Sequence, residues 1–119
     1  MTERELHKLT HRYFKRVLAE DVIFHHSANE KGAGRMRGRE GGQWKGFPDW
    51  FLSWRDPYDN GRTGFIELKR EGAYCTPEQK YTLHKLKEQG SYTAVCRSID
   101  DVEGTLKAWG VPMTGRVSA

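Results

Sequence analysis

A chain of 119 residues with 30% charged and 12% aromatic side chains suits one globular domain and excludes a disordered polymer. No apolar run approaches the roughly 20 residues that span a bilayer. The N-terminal MTERELHK has no apolar stretch of the signal-peptide kind, and Cys75 and Cys96 lack metal-ligand spacing, so a cytoplasmic protein with reduced thiols is expected. The net charge of +4 lies wholly in residues 1–45, where ten Lys/Arg face six Asp/Glu, while the rest balances ten to ten. A basic half points to a polyanionic partner, nucleic acid first, although solubility alone would explain a charge this small.

Residues 2–19 carry Leu6, Leu9, Tyr13, Phe14, Val17 and Leu18 at three- and four-residue spacing, the signature of a helix with one apolar face. Thr2 is its expected N-cap, and Glu3 and Glu5 suit the positive end of the helix dipole. Val22 to His26 reads as a short strand. Residues 27–45, SANEKGAGRMRGREGGQWK, are rich in Gly and Arg without periodicity and predict a long functional loop. Trp50 to Trp54 and Gly64 to Lys69 read as an antiparallel hairpin around DPYDNG, with Asn60-Gly61 as the turn signal. Thr76, Pro77 and Gln79 predict N-cap, N1 and a capping box for a second helix, with Tyr81, Leu83 and Leu86 inward and Gly90 past its end. Tyr92 to Cys96 is a further strand. Asp100 or Asp101 is expected to cap a last helix through Trp109, with Val102 and Leu106 inward and Gly110 as its stop. From Pro112 the chain is expected to be a loose tail. The whole predicts a single mixed α/β domain, 1–119, around a central sheet.

One strand raises a chemical question. In GFIELKREG, residues 64–72, Glu67 and Lys69 stand two apart in an otherwise apolar strand, so an acid and a base share a face. Buried charges are costly unless paired or used. Asp49, held by Pro48, opens the partner strand, and the start of one antiparallel strand lies beside the end of the other, so Asp49 and Glu67 should converge. Two carboxylates about 4 Å apart repel by about 4 kcal/mol at an effective dielectric near 20. A shared proton, the Lys69 ammonium or a divalent cation would each offset that. Mg²⁺ takes one or two carboxylates and a substrate phosphate, and Lys69 could then orient or deprotonate an attacking water, which makes this strand end a candidate for metal-dependent hydrolysis. The competing reading is a Glu67–Lys69 ion pair on a solvated sheet face, in a non-catalytic DNA-binding module that uses the basic loop.

GFPDWFL, GFIELKREG, TPEQ and YTAVCRSIDDV, in this order and spacing, resemble the virus-type replication-repair nuclease (VRR-NUC) domain of the PD-(D/E)xK superfamily, and SANEKGAGR resembles that family's loop. The resemblance runs over nearly the whole chain and is densest from Gly46 to Val102. It implies a restriction-endonuclease-like core, with a central mixed sheet flanked by helices, and a Mg²⁺- or Mn²⁺-dependent nuclease. It also implies that a stand-alone small member is a homodimer preferring branched or flapped DNA. Carried onto this chain, Asp49, Glu67 and the Leu68 carbonyl resemble the metal ligands, Lys69 the catalytic lysine and Gln79 the helix glutamine near the site. Gln79 is equally explained by its capping box. ERELH, residues 3–7, resembles the family's first-helix start and points to Glu3 as a further acid, with Glu5 second and helix-dipole placement as the plain alternative.

Lys31, Arg35, Arg37, Arg39 and Lys45 are expected to contact DNA phosphates, because this Gly-rich stretch runs straight into GFPD. Phosphate contacts carry no base code, so selection by DNA structure rather than sequence is expected. His7 and His11, four apart, have zinc spacing but no supporting cluster, and are expected to face surface or DNA. His25 and His26 should point to opposite faces. Trp50, Trp54 and Trp109 read as packing residues, and Trp44 as a base-stacking or dimer-contact residue.

Overall fold

The computed structural model describes residues 1–27, 42 and 44–114. Three helices and four strands follow one another as α1 (Glu3–Val17), β1 (Ile23–His26), β2 (Trp50–Arg55), β3 (Gly61–Leu68), α2 (Pro77–Glu88), β4 (Tyr92–Cys96) and α3 (Ile99–Trp109). The strands form one sheet in the order β1-β2-β3-β4, antiparallel between the first three and parallel between β3 and β4. The parallel step needs a long crossover, which α2 supplies. This is the mixed α/β arrangement that the order of apolar periods predicts. Among the described residues no helix is long and apolar enough to cross a membrane.

Local chemistry sets most of these boundaries. Thr2 caps α1 through a full capping box: its hydroxyl accepts the Glu5 N–H at 3.1 Å, and the Glu5 carboxylate accepts the Thr2 N–H at 2.8 Å. Thr76 and Gln79 do the same for α2, with Pro77 at the first helical position. Ser98, rather than Asp100 or Asp101, caps α3: its hydroxyl accepts the Asp101 N–H at 3.0 Å, which places both aspartates inside the first turn, where the dipole favours them. The β2–β3 connection is longer than the two-residue turn that Asn60-Gly61 suggests. Its carboxylate-rich start does the folding work, because Asp56 accepts the N–H groups of Tyr58 and Asn60, and the left-handed residue is Asp59 at φ 71°.

The core lies on one face of the sheet. Trp50, Leu52, Ile66, Leu68 and Cys96 from the strands meet Leu6, Phe14 and Val17 of α1 and Val102 and Leu106 of α3. Each such large side chain contributes about 1.5–3 kcal/mol on burial. The inward stripe of α1 runs Leu6, Thr10, Tyr13, Phe14, Val17, so buried Thr10 takes the place expected of Leu9, which sits half-buried at the stripe's edge. In α2 the expected inward Tyr81 is 54% exposed, and Thr82 is the one buried residue. The reason is that α2 docks through a polar contact: the Trp44 indole N–H donates to the Thr82 hydroxyl at 2.9 Å. Trp44 is thus tied to its own chain, while Trp54, Tyr92 and Trp109 form a cluster of near-parallel rings, and Trp109 lies against the backbone of Gly64, where a Cβ would overlap its ring. Of the expected tail, residues 115–119 lie outside the described residues, and residues 112–114 are bonded to the end of α1. The Pro112 carbonyl accepts the Ala19 N–H at 3.1 Å, Leu18 and Met113 form a bridge, and the Thr114 N–H donates to Val17 at 2.8 Å. These bonds occupy backbone groups at the C-terminal end of α1, which otherwise lack partners.

Candidate active site

Four chain segments meet at the end of β3. The register Trp50↔Ile66 sets Asp49, the residue before β2, opposite Glu67. The Asp49 carbonyl accepts the Ser27 N–H at 2.8 Å, which anchors it to the end of β1. Its Oδ2 accepts the Leu68 N–H at 2.7 Å, so the Asp49 side chain reaches across to the last peptide of β3. The expected convergence of the two carboxylates follows from this pairing.

Glu67 and Lys69 are not on a solvated face. Their side chains are 3% and 11% exposed, and Lys69 Nζ lies 3.7 Å from Glu67 Oε2. The strand alternation explains it. Ile66 and Leu68 turn to the core, and Glu67 turns to the other face, beside Phe65 and under α2. Gln79 Nε2 donates to Glu67 Oε2 at 2.9 Å, while Gln79 Oε1 accepts the Thr76 N–H at 2.9 Å. The carboxamide therefore has both roles at once, and the capping bond decides which end of it faces Glu67. Glu67 Oε1 is buried and has no hydrogen-bond partner among the described residues. Burial, then the neighbouring Asp49 charge, push the Glu67 carboxyl up to about 8, against the opposing pull of Lys69. Burial also raises Asp49, opposed by the Leu68 N–H bond and by His7 and His26.

The N-terminus of α1 completes the surroundings. Glu3 is half-buried in its first turn, and its charge raises both Asp49 and Glu67, whereas Glu5 is exposed and engaged in the cap. Of the two acids, Glu3 is the one electrostatically coupled to the site. The Thr2-x-x-Glu5 spacing is itself a capping-box signal that separates them in sequence. His7, one turn after Glu3, places Nε2 3.7 Å from Asp49 Oδ2, and its ring meets His26 edge-on at 5.2 Å. Sequence reasoning set neither histidine at the site. The helical step from Glu3 signals His7, but nothing local signals His26, whose position depends on the β1–β2 register His26↔Trp50.

Backbone fit holds the arrangement. Gly46, at φ +79°, lies against the first turn of α2, where a Cβ would come 2.7 Å from Glu78 C and 2.9 Å from Gln79 N. Gly46→Ala therefore combines left-handed strain with backbone overlap, and it should cost about 3 kcal/mol or more. A thermal melt checks this: a fall on the order of 10 °C is expected, and an unchanged midpoint would refute the contact. On the far side, the Arg97 guanidinium donates to the carbonyls of Arg70 at 2.9 Å and Ala73 at 2.6 Å, fastening the segment between Lys69 and α2.

Of the expected DNA-contact residues, Lys31, Arg35, Arg37 and Arg39 lie outside the described residues. Lys45 is exposed, with Nζ 3.6 Å from Glu78 Oε2. Cys75 and Cys96 are free thiols. Among the described residues no three His, Cys, Asp or Glu side chains come together as a metal cage. Asp49 and Glu67 bring two apposed carboxylates, and one Glu67 oxygen is buried without a partner among the described residues. They fit a cation such as Mg²⁺, which takes one or two carboxylates and keeps several waters.

The family model of the VRR-NUC domain matches residues 4–100. A solved structure described as a VRR_NUC domain protein is similar at a TM-score of 0.71 and 26% identity, over 92% of this chain and 88% of that one. No curated protein matches. A match over that much of the sequence, with a four-stranded mixed sheet between helices to go with it, means that the chain belongs to the VRR-NUC family, with a restriction-endonuclease-like α/β fold and a nuclease-type, DNA-processing function.

Proposed function

We propose that the protein is a Mg²⁺- or Mn²⁺-dependent DNA endonuclease, a homodimer that selects branched or flapped DNA by its structure. The observation that carries the catalytic part is the set of half-buried Asp49 with buried Glu67 and Lys69, in which Glu67 Oε1 has no partner among the described residues. A structural ion pair needs one carboxylate. Here two are apposed in a poorly solvated place, which costs stability unless a cation offsets it.

Asp49, Glu67 and the Leu68 carbonyl, with Glu3 beside them, would hold the ion. A hard divalent cation supplies Lewis acidity there, offsetting phosphodiester charge and lowering the pKa of water. Lys69 stays beside Glu67, where its ammonium orients the attacking water and balances the charge that develops on the phosphate. Gln79 fixes the Glu67 carboxylate by its 2.9 Å bond to Oε2, and Oε1 would remain available to a cation. The Leu68 N–H holds Asp49 in the same way. Lys45 and the basic residues Lys31, Arg35, Arg37 and Arg39 supply phosphate contacts that position DNA without reading bases.

The test mixes the protein with supercoiled, linear, flapped and four-way DNA in Mg²⁺, Mn²⁺ or EDTA. Cleavage is expected only with metal, and fastest on flapped or four-way substrates. Binding without cleavage in every metal would instead establish a DNA-binding module. Sedimentation at micromolar concentration checks the dimer, and a monomer mass would remove it.

A further inference from the structure

Four of the five histidines line one place. A groove of ≈ 410 Å³ runs between α1 and β1, bordered by His7, Lys8 and His11 on the helix and by His25 and His26 on the strand. That volume lies within the range of about 300–1,000 Å³ typical of small-ligand sites. Trp50 and Phe24 form its aromatic wall. The His26 ring centroid lies 4.9 Å from that of Trp50, and the His11 ring lies 5.9 Å from it, tilted by 36°. None of the described residues lining it is acidic.

Three features define what fits. The groove opens beside the candidate active site, since its border residue His7 stands 3.7 Å from Asp49. Its rim is made of N–H donors and one ammonium, the groups that bind phosphate and base edges. Its wall is aromatic, with the half-buried Phe24 ring 6.2 Å from that of buried Trp50. An all-apolar ligand would leave the donors of the rim unmatched, and a cation would meet Lys8. A nucleotide answers each feature, with an anionic phosphate, acceptor-rich base edges and a flat ring for the aromatic wall. A base paired within a duplex is stacked and cannot enter a groove of this size.

We propose that the groove between α1 and β1 binds one unpaired nucleotide of the strand being cut, next to the scissile phosphate. This rests on the nuclease reading and gives it a source of selectivity. DNA with an unpaired nucleotide beside the cut fills the groove, and a continuous duplex does not.

The test uses the full chain and flapped DNA carrying 5-iodo-deoxyuridine at one position at a time through the flap junction. Crosslinks are induced in EDTA, so that binding is read without cleavage. The expected result is a crosslink from one unpaired position to a peptide of residues 5–12 or 22–27, reduced at least about fivefold in His11→Ala. In Mg²⁺, His11→Ala and Lys8→Ala should raise KM for that flap about tenfold, the loss of roughly one hydrogen bond to a charged group, with kcat within about twofold. His11→Phe, which keeps the ring against Trp50, should rescue the melting temperature but not KM. Crosslinks confined to other peptides, or formed equally from paired positions, overturn the groove and leave the nuclease reading standing. Failure of the unaltered chain to cut any DNA overturns the nuclease reading, and with it the place of the groove beside a scissile phosphate.

Discussion

Lys69→Met is expected to lower metal-dependent cleavage by at least about 10²-fold while leaving the protein folded. The rate loss follows from the position of the ammonium, held against Glu67 in a site that water barely reaches. A preorganised charge in such a place typically contributes factors of about 10²–10³. Methionine keeps the stem's packing and removes only the charge. Asp49→Asn should cost as much, for a different reason. It removes one of the carboxylate charges available to a cation but retains an oxygen that can accept the Leu68 N–H. Both variants should bind flapped DNA within a few-fold of the unaltered protein, since the proposed phosphate contacts are other residues, Lys31, Arg35, Arg37, Arg39 and Lys45. Single-turnover cleavage with a far-ultraviolet spectrum of each variant reads both claims. Residual activity within tenfold in either variant would remove that residue from the chemistry.

Stability of the metal-free protein should fall as pH rises from about 5 to about 8. The folded Glu67 carboxyl is pushed up to about 8 from an ordinary 4.5, chiefly by burial and then by Asp49. A group whose pKa is raised by folding stabilises fully below its unfolded pKa and loses that contribution as pH climbs through the folded one. Asp49 is raised as well and adds in the same direction. The expected change is a few kcal/mol, or on the order of 10 °C in Tm for a chain of this size. Glu67→Gln should flatten the profile, because an amide has no proton to lose. Mg²⁺ at pH 8 should restore Tm in the unaltered protein and do little for Glu67→Gln. An ordinary Glu67–Lys69 salt bridge predicts the opposite sign: the carboxyl would be depressed, and stability would rise with pH through the acid range. Thermal melts in EDTA between pH 4.5 and 8.5 separate the two, and a rising Tm would sink the reading of an overloaded carboxylate site.

Much of this was readable from residue order. The periods of the apolar residues placed all seven elements to within a few residues, because helix and strand repeats are local properties of the chain. The capping residues of α2, the pairing of β2 with β3 and the apposition of Asp49 and Glu67 follow from rules that span no more than a hairpin. The family resemblance, spread over several short motifs, was legible for the same reason.

What tertiary structure alone decided is non-local. Whether Glu67 and Lys69 face water or lie buried depends on α2 covering that face of β3, and a two-residue spacing says only that they share it. His26 enters the surroundings of Asp49 through strand register, and Glu3 through the docking of α1 on the sheet. Tyr81 lost the inner face of α2 to Thr82 because a hydroxyl there meets the Trp44 indole, a contact 38 residues away in sequence. The need for glycine at 46 exists only because the backbone of α2 passes within 3 Å of where a side chain would begin. Periodicity and capping act over one or two turns, whereas a buried charge, a close backbone approach and a groove are defined by segments that meet only when the chain has folded.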